Sequence, residues 1–398
     1  MRQAESAVIR PLDGEWEVQL EPQSEWRTIR VPFTFEAPLS GIGAGDEIHE
    51  RIRYRRTFRA VGGRTWVHFG AVDWRATVFV DGRELGTHAG GYTSFAFDAG
   101  QLERDTEHEL VVDVFDPADD AFGQPKGKQR GSHDIWYTRA TGIWRSVGLE
   151  EGDVMPEAAA RPFEMPRRIA GVLDQGYWPD GVYTPPSDDA LRADVEAAKA
   201  MGFNLVRKHM KVEDPRWYAW CDRLGMLVAQ DLPSSHDLST ERARMQLHRE
   251  WMEIIGQLCG HPSIVMWIVF NEDWGRPPPE FQRELVHATR EADPSRLVVD
   301  ASGWIQLEDT DLVDVHDYGA ELTKHRGARS DIPLWFGELG GAQDYRSIVE
   351  QVPRDAVGFV WTQLTDVEQE QNGLLTYDRV PKVDFDEIRA INEEFLHG

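Results

Sequence analysis

Residues 263–275, with the sequence SIVMWIVFNEDWG, constrain the fold of this chain more than any other stretch. Eight mostly apolar residues precede Asn271 and Glu272. A run of this length that is rich in Ile, Val, Trp and Phe is typical of a strand buried on both faces. A carboxylate placed at the end of such a strand is costly unless it has a partner or a chemical task.

A second run, residues 333–341 (PLWFGELGG), repeats this design and carries Glu338 near its end. Two carboxylates at the ends of two buried strands match the acid/base and nucleophile pair of glycoside hydrolysis. Either carboxylate alone could instead cap a neighbouring helix. The two together, in the fold predicted below, favour catalysis.

The composition sets wide limits on fold and partners. A chain of 398 residues with 41% hydrophobic residues can form two or three domains with a large core. The formal charge of −26 argues against nucleic acid or an anionic membrane as a partner. Cys221 and Cys259 are predicted to be buried free thiols. The absence of an apolar leader and of a membrane-length apolar run predicts a soluble, cytoplasmic protein.

The first part of the chain has the pattern of an all-β domain. Short alternating runs recur at residues 15–20, 65–69, 76–80 and 110–115, and turn signals separate them. Residues 116–133 are predicted to form a polar loop, which either lies plainly on the surface or reaches a neighbouring site. We predict a jelly-roll β-sandwich over residues 1–150 and a linker over residues 151–167.

Residues 168–398 alternate between apolar runs and helical stripes, and eight strand-plus-connection units predict a (β/α)8 TIM barrel. The whole chain is therefore a multidomain β plus α/β protein. In a TIM barrel the chemistry lies where the strands end. The residues at the predicted strand ends are polar or aromatic, and we expect them to converge: Asp174, Arg207, His209, Asp231, Asn271, Glu272, Asp300, His316, Tyr318, Glu338 and Trp361.

Long motifs resemble those of glycoside hydrolase family 2, the family of β-galactosidases, β-mannosidases and β-glucuronidases. Residues 74–92 (WRATVFVDGRELGTHAGGY) and 135–145 (IWYTRATGIWR) resemble its sugar-binding jelly roll. The segments that resemble its catalytic barrel are residues 171–178 (GVLDQGYW), 206–209 (VRKH), 271–273 (NED) and 337–338 (GE). The family usually carries an immunoglobulin-like domain between the two parts, whereas this chain has room only for a linker. We expect a compact form.

The resemblance implies a retaining, exo-acting β-glycosidase in which Glu272 is the general acid/base and Glu338 the nucleophile. Such an enzyme forms a covalent glycosyl-enzyme and needs no cofactor. A β-galactoside is the favoured substrate, with β-glucuronide or β-mannoside as alternatives. A trimmed carbohydrate-binding protein without activity is the competing interpretation.

The remaining strand-end residues are expected to serve this pair. Arg207 could keep Glu338 ionised or form a structural ion pair. Asn271 would bind the sugar 2-hydroxyl or cap the backbone. Tyr318 could donate to Glu338, and burial beside Trp267 or Trp274 should favour the protonated form of Glu272.

Several weaker candidates complete the predicted substrate site. Trp361 could form the floor under the sugar or pack in the core. Further predicted substrate-binding residues are His209, Asp231, His316, Asp174 and Trp274. A metal site built from His209, His316 and an aspartate is disfavoured, because the spacing of metal-dependent barrels is missing. The expected partner is a carbohydrate, with a homo-oligomer left open.

Overall fold

The computed structural model describes residues 10–45, 47–60, 62–119, 122–151, 161–307, 309–319, 321–325, 332–340 and 344–398. An all-β unit comes first and a parallel α/β barrel follows. The predicted fold class is thereby confirmed.

The first unit is a β-sandwich. Its strands are β1 (Arg10–Pro11), β2 (Gly14–Leu20), β3 (Arg27–Val31), β4 (Arg51–Arg59), β5 (Gly63–Phe69), β6 (Val72–Asp73), β7 (Arg75–Val80), β8 (Arg83–Ala89), β9 (Phe95–Leu102), β10 (Glu107–Phe115), β11 (Gly142–Ile143) and β12 (Val147–Glu151). A six-stranded sheet, β3-β2-β4-β10-β7-β8, faces a four-stranded sheet, β1-β12-β5-β9. Alternate residues point inward, so that Trp16 and Tyr54 of the larger sheet share one core with Val67 and Leu149 of the smaller.

The second unit is an eight-stranded parallel barrel in the order β17-β16-β15-β14-β13-β20-β19-β18. Its strands are β13 (Ile169–Asp174), β14 (Leu205–Lys208), β15 (Leu227–Asp231), β16 (Ile264–Asn271), β17 (Leu297–Ser302), β18 (Val313–Asp317), β19 (Leu334–Leu339) and β20 (Ala356–Trp361). Inward residues such as Leu173, Leu205, Met266, Trp335 and Val360 fill the barrel as a separate core.

Helices follow most of the strands and cover the barrel. They are α1 (Asp188–Ala200), α2 (Pro215–Leu224), α3 (Glu241–Leu258), α4 (Pro279–Ala292), α5 (Tyr345–Val349) and α6 (Phe385–His397). The side chains of Ser187, Asp214, Thr240, Asp344 and Asp384 cap the first free N–H groups of α1, α2, α3, α5 and α6, which explains why these helices begin where they do. None of the helices in the described ranges combines the length and apolarity that a membrane span needs.

The connection between the two units stays partly a prediction. Residues 152–160 of the expected linker lie outside the described residues, and residues 161–168 contain neither strand nor helix. The exact domain limits are therefore not tested. Cys221 is buried and free as expected, but Cys259 is only half-buried because it caps the exposed end of α3.

The sandwich packs directly on the barrel through buried polar contacts. The hydroxyls of Tyr92 and Tyr183 lie 3.0 Å apart. Arg145 donates to the backbone oxygens of Val212 and Glu213 at 2.6 and 3.0 Å. These side chains belong to both units, and burying them fixes the orientation of the sandwich over the barrel.

Glu250 of α3 is a buried carboxyl at this interface. Its oxygens accept long hydrogen bonds from the Tyr92 N–H (3.3 Å) and the Gln246 amide (3.4 Å). Burial, reinforced by the charge of Asp73, raises the pKa of Glu250 from 4.5 to about 8. The folded chain therefore holds a proton that the unfolded chain releases between these pH values.

We expect Glu250→Gln to be more stable than the wild type at pH 8 by about 1 kcal/mol or more, because a buried amide has no charge to desolvate. In the wild type, the contribution of Glu250 to the free energy of unfolding is fully present below pH 4.5 and is lost as the pH rises through about 8. The advantage of the variant should shrink toward pH 5 in thermal unfolding measured across the range.

Glu253→Gln on the same helix is the matched control. The pKa of Glu253 is lowered: burial acts to raise it, but the hydrogen bond and charge of His88 prevail. Its substitution should bring no gain at alkaline pH. A Glu250→Gln advantage that is equal at pH 5 and pH 8 would contradict the assignment.

Candidate active site

A cavity of about 280 Å³ opens at the carboxyl ends of the barrel strands. Polar and aromatic side chains line it, as expected for the chemical face of such a barrel. Its lining consists of Lys128, Ile135, Leu173, Gln175, His209, Asn271, Glu272, Trp274, Tyr318, Glu338, Thr362, Glu370 and Asn372.

Glu272 and Glu338 face each other in this cavity across His316. The Nδ1 atom of His316 lies 2.9 Å from Oε1 of Glu272 and 3.7 Å from Oε1 of Glu338. The two carboxylate oxygens are thus no farther apart than these two distances together. The carboxyl groups of retaining glycosidases are typically about 5–5.5 Å apart, and this separation lies within that upper limit.

The backbone turns sharply at Glu272. The residue adopts a left-handed φ of 54°, and its N–H donates to the oxygen of Ser302 at 2.7 Å. A non-glycine residue in this region costs about 1 kcal/mol or more, and such strain concentrates at functional sites. Here the turn directs the side chain into the cavity instead of along the strand.

The aromatic neighbours of Glu272 differ from those expected. Trp274 lines the cavity, and its ring lies 4.7 Å from that of Trp136 of the sandwich unit. Trp267 is fully buried on the other side of β16, where it packs against Trp251 at 5.5 Å. The prediction that Trp267 shields Glu272 is therefore wrong, because the strand alternation points it toward α3.

The environment of Glu338 favours its ionised form. Burial alone would raise the pKa of this carboxyl, but His316, His209, Arg207 and the Tyr318 hydroxyl together hold the pKa well below its usual range. Tyr318 donates a short hydrogen bond to Oε2. The predicted roles of Arg207 and Tyr318 beside this carboxylate are consistent with these contacts.

The residue before Glu338 must be a glycine. A Cβ atom on Gly337 would collide with the carboxylate of Asp314, which accepts a 2.8 Å hydrogen bond from the Gly337 N–H. This close approach places β19 against β18 and thereby sets the position of Glu338.

Arg207 lies fully buried beneath the cavity. Its Nε and Nη2 atoms donate to both oxygens of Asp231 at 3.0 Å, and Nη2 also donates to Asn271 Oδ1 at 2.9 Å. Nη1 donates to the oxygen of Gly337 at 3.0 Å and lies 3.5 Å from Glu338 Oε1. Arg207 thus forms a buried ion pair with Asp231 and also contacts the carboxylate of Glu338, so its predicted role toward Glu338 stays a prediction.

The pKa values of the two histidines of the site shift in opposite directions. Burial lowers the pKa of His209, whose Nδ1 lies 2.6 Å from Asp231. Burial acts in the same direction on His316, but the carboxylates of Glu338 and Glu272 outweigh it and raise the pKa. The protonated form of His316 is thus favoured between the two candidate catalytic groups, while Asp231 orients His209 from outside the cavity lining.

Five predicted ligands are not part of the cavity lining. Arg207, Asp231 and His316 contact lining residues, whereas Asp174 and Trp361 turn away. Asp174 is buried in an ion pair with Lys208 at 2.5 Å, and it also accepts from the Gly176 N–H. Trp361 is buried against the ring of Tyr345 at 4.6 Å, which supports core packing instead of a sugar floor. In each case the chain neighbour, Leu173 or Thr362, lines the cavity.

Thr362 belongs to the strand end at residues 361–363 that was expected to face the site, but several other lining residues were not predicted, namely Lys128, Ile135, Leu173, Gln175, Glu370 and Asn372. Lys128 comes from the polar loop at residues 116–133, so the loop does reach a neighbouring site. The length and polarity of that loop were the available signals. Glu370 and Asn372 lie in the segment after β20, where no pattern indicated a role. The described part of the chain contains no group of side chains able to hold a metal ion.

We expect Arg207→Met to lower the free energy of unfolding by about 3–5 kcal/mol, because Asp231 would stay buried without its counter-charge. Arg216→Met is the matched control. Arg216 makes the same two-pronged contact with Asp214, but half of its side chain is exposed, with 48% accessible. Its loss should cost about 0–1 kcal/mol. Equal losses in denaturant titrations of the two variants would contradict this account.

Two models of known protein families match this chain. The model described as "Glycosyl hydrolases family 2, sugar binding domain" matches residues 3–152. The model described as "Glycosyl hydrolases family 2, TIM barrel domain" matches residues 186–318. Together these matches extend over well more than half of the chain.

Curated relatives share parts of the sequence. A putative β-glucuronidase of Formosa agariphila is 35% identical over 127 residues, which are 29% of this chain and 15% of that protein. A β-galactosidase of Vibrio cholerae is 24% identical over 201 residues, which are 43% of this chain and 19% of that protein. The alignments thus span less than a fifth of either relative.

Solved structures share the fold over almost the whole chain. A β-galacturonidase from Eisenbergiella tayi, bound to galacturonate, superposes with a TM-score of 0.80 at 16% identity, covering 99% of this chain and 98% of that one. A β-D-glucuronidase of Dictyoglomus thermophilum gives a TM-score of 0.79 at 15% identity, with coverage of 99% and 98%. At these identities the likeness concerns architecture alone.

Proposed function

Because this chain belongs to glycoside hydrolase family 2, we propose that it is a retaining, exo-acting β-glycosidase. Glu338 is the nucleophile and Glu272 the general acid/base. The observation that carries the proposal is the placement of both carboxylates around His316 Nδ1, at 3.7 and 2.9 Å, in one cavity at the barrel mouth.

The first step is attack of the ionised Glu338 on the anomeric carbon while Glu272 gives its proton to the departing oxygen. The lowered pKa of Glu338 keeps the nucleophile charged near neutral pH. His316, whose Nδ1 lies 2.9 Å from Glu272 and whose pKa is raised by the carboxylates around it, is placed to stabilise the negative charge that develops as the proton leaves.

In the second step Glu272 takes a proton from water, and the resulting hydroxide displaces Glu338 from the sugar. Two displacements at the same carbon leave the β configuration unchanged. Asn271, anchored by Arg207, lines the cavity next to Glu272 and is suited to bind the sugar 2-hydroxyl.

The size of the cavity supports exo action. Its volume of about 280 Å³ accommodates one terminal sugar, and Lys128 and Ile135 of the sandwich unit close one side. We favour a β-galactoside as substrate. Relatives named as β-galactosidase and as putative β-glucuronidase both match, so a sugar panel decides this point.

Glu272→Ala should slow hydrolysis of alkyl β-glycosides by about 10²–10⁴-fold, because their leaving groups need a proton. Dinitrophenyl glycosides leave without one, so their first step should change little. Azide, which needs no general base, should restore turnover and give a β-glycosyl azide. Asp273→Ala alters the adjacent, exposed carboxylate and is the matched control. Equal losses for both leaving groups without azide rescue would refute the role of Glu272.

A dinitrophenyl 2-deoxy-2-fluoro-β-glycoside of the preferred sugar should label Glu338 covalently. The fluorine slows both steps, and the good leaving group lets only the first proceed at a useful rate. Mass spectrometry of the digest should find the label on the peptide that contains residues 335–339, and Glu338→Gln should take up none. An inverted product in NMR, or label on another carboxylate, would overturn the proposal.

A further inference from the structure

We propose that Lys128 of the sandwich unit and Glu370 of the barrel unit together bind one hydroxyl of the terminal sugar. This couple restricts the enzyme to neutral β-glycosides and rejects β-hexuronides. The inference rests on the proposed function and names the substrate class of the same cavity.

The segment that bears Lys128 is held firmly against the barrel. The N–H groups of Lys126 and Gly127 both donate to the oxygen of Ser234, at 3.0 and 3.1 Å. Gly127 has a left-handed φ of 53°, and a Cβ there would collide with the oxygen of Met210. Only a glycine permits this approach of the two backbones.

The side chains of Lys126 and Lys128 point to opposite sides of that segment. Lys126 turns into the sandwich, where its ammonium group lies 2.9 Å from Asp73 and contacts Asp116. Lys128 turns into the cavity and lies over the rings of Trp274 and Tyr137, at 5.6 and 5.3 Å from their centres. The first lysine anchors the loop, and the second is available to a ligand.

Glu370 is fixed in the facing wall by contacts between the two units. The Tyr137 hydroxyl donates to its Oε2 at 2.5 Å, and the Asn372 amide donates to its Oε1 at 3.0 Å. The neighbouring Gln369 donates to the backbone oxygens of Asp134 and Trp136 at 2.8 Å. These bonds hold the carboxylate at a set distance from Lys128.

The spacing of the couple is suited to a hydroxyl group. Lys128 Nζ lies 3.9 Å from Glu370 Oε2, beyond hydrogen-bonding distance. Within the described ranges no group accepts a hydrogen bond from this ammonium, although the residue is only 6% exposed. A hydroxyl oxygen beside the pair, at about 2.8 Å from both atoms, would accept from Lys128 and donate to Glu370.

The charge balance of the cavity favours a neutral sugar. Glu338 and Glu370 line it as carboxylates, whereas Lys128 is its one lining lysine or arginine among the described residues. Arg207, which lies 3.5 Å from Glu338, is already paired with Asp231. A hexuronide would bring a further carboxylate that had to share Lys128 with Glu370, 3.9 Å away, and this added charge is costly in a buried site.

The test compares aryl β-galactoside, β-glucoside, β-mannoside and β-xyloside with aryl β-glucuronide and β-galacturonide. We expect a neutral substrate to be preferred. Deoxy analogues of that substrate then locate the hydroxyl. Lys128→Met should lower kcat/KM by about 10–100-fold on the parent sugar, as expected for one charged hydrogen bond. It should change little on the one analogue that lacks the bound hydroxyl.

Lys382→Met is the matched control, because Lys382 bonds Asp366 and the oxygen of Gln371 next to the same segment but does not line the cavity. It should leave all these rates unchanged. A preferred hexuronide whose turnover depends on Lys128 would overturn the proposal and make Lys128 a carboxylate ligand. Equal effects of Lys128→Met on every deoxy analogue would overturn it too, by reducing Lys128 to a structural group.

Binding measurements separate this inference from the proposed function. If the wild type hydrolyses no member of the panel, the proposed activity fails. Binding of free galactose, its deoxy analogues and galacturonate is then measured by the fluorescence of the protein. These measurements test the role of Lys128 and Glu370 independently of hydrolysis. Weaker binding of galactose to Lys128→Met but not to Lys382→Met supports it, and tighter binding of galacturonate than of galactose by the wild type refutes it.

Discussion

The buried guanidinium of Arg207 is the interaction on which the geometry of the cavity depends. It joins the ends of three further strands, through Asp231, Asn271, and the Gly337–Glu338 pair. A guanidinium without exposure is tolerated only if nearly all of its N–H groups are bonded and its charge is matched. Satisfying this one cation therefore fixes where Asn271 and the nucleophile candidate stand relative to each other.

A second buried network fixes the other carboxylate. The Nε2 atom of His316 lies 2.7 Å from the hydroxyl of Ser302, which in turn donates to Asp314 at 2.8 Å. Burial raises the pKa of Asp314 to about 6. With its ring held from behind, His316 presents Nδ1 to Glu272, and the left-handed turn at Glu272 is supported from both sides.

The two units contribute different residues to the cavity. The barrel alone supplies both carboxylates, the arginine and the histidines. The sandwich supplies Lys128 and Ile135, and Trp136 packs on Trp274 at the rim. The proposed catalytic groups thus lie on rigid strand ends, while the proposed sugar-selecting pair lies at an interface between units, where substitutions leave the barrel strands untouched.

The sequence by itself determined the elements and the chemical face. Apolar runs that end in polar residues predicted the barrel strands, and helical stripes predicted the helices between them, because both depend on local periodicity. The rule that chemistry lies at strand ends then made Arg207, Asn271, Glu272 and Glu338 candidates, and the structure places all four in or beside one cavity.

The tertiary structure alone decided which neighbours point into the cavity. Leu173 and Thr362 line it while Asp174 and Trp361 turn away, since adjacent residues of a strand face opposite sides and the register sets which side is inward. It also decided that Lys128 meets Glu370, residues separated by most of the chain. Their approach depends on how the sandwich docks on the barrel, and that long-range packing leaves no periodic signal in the sequence.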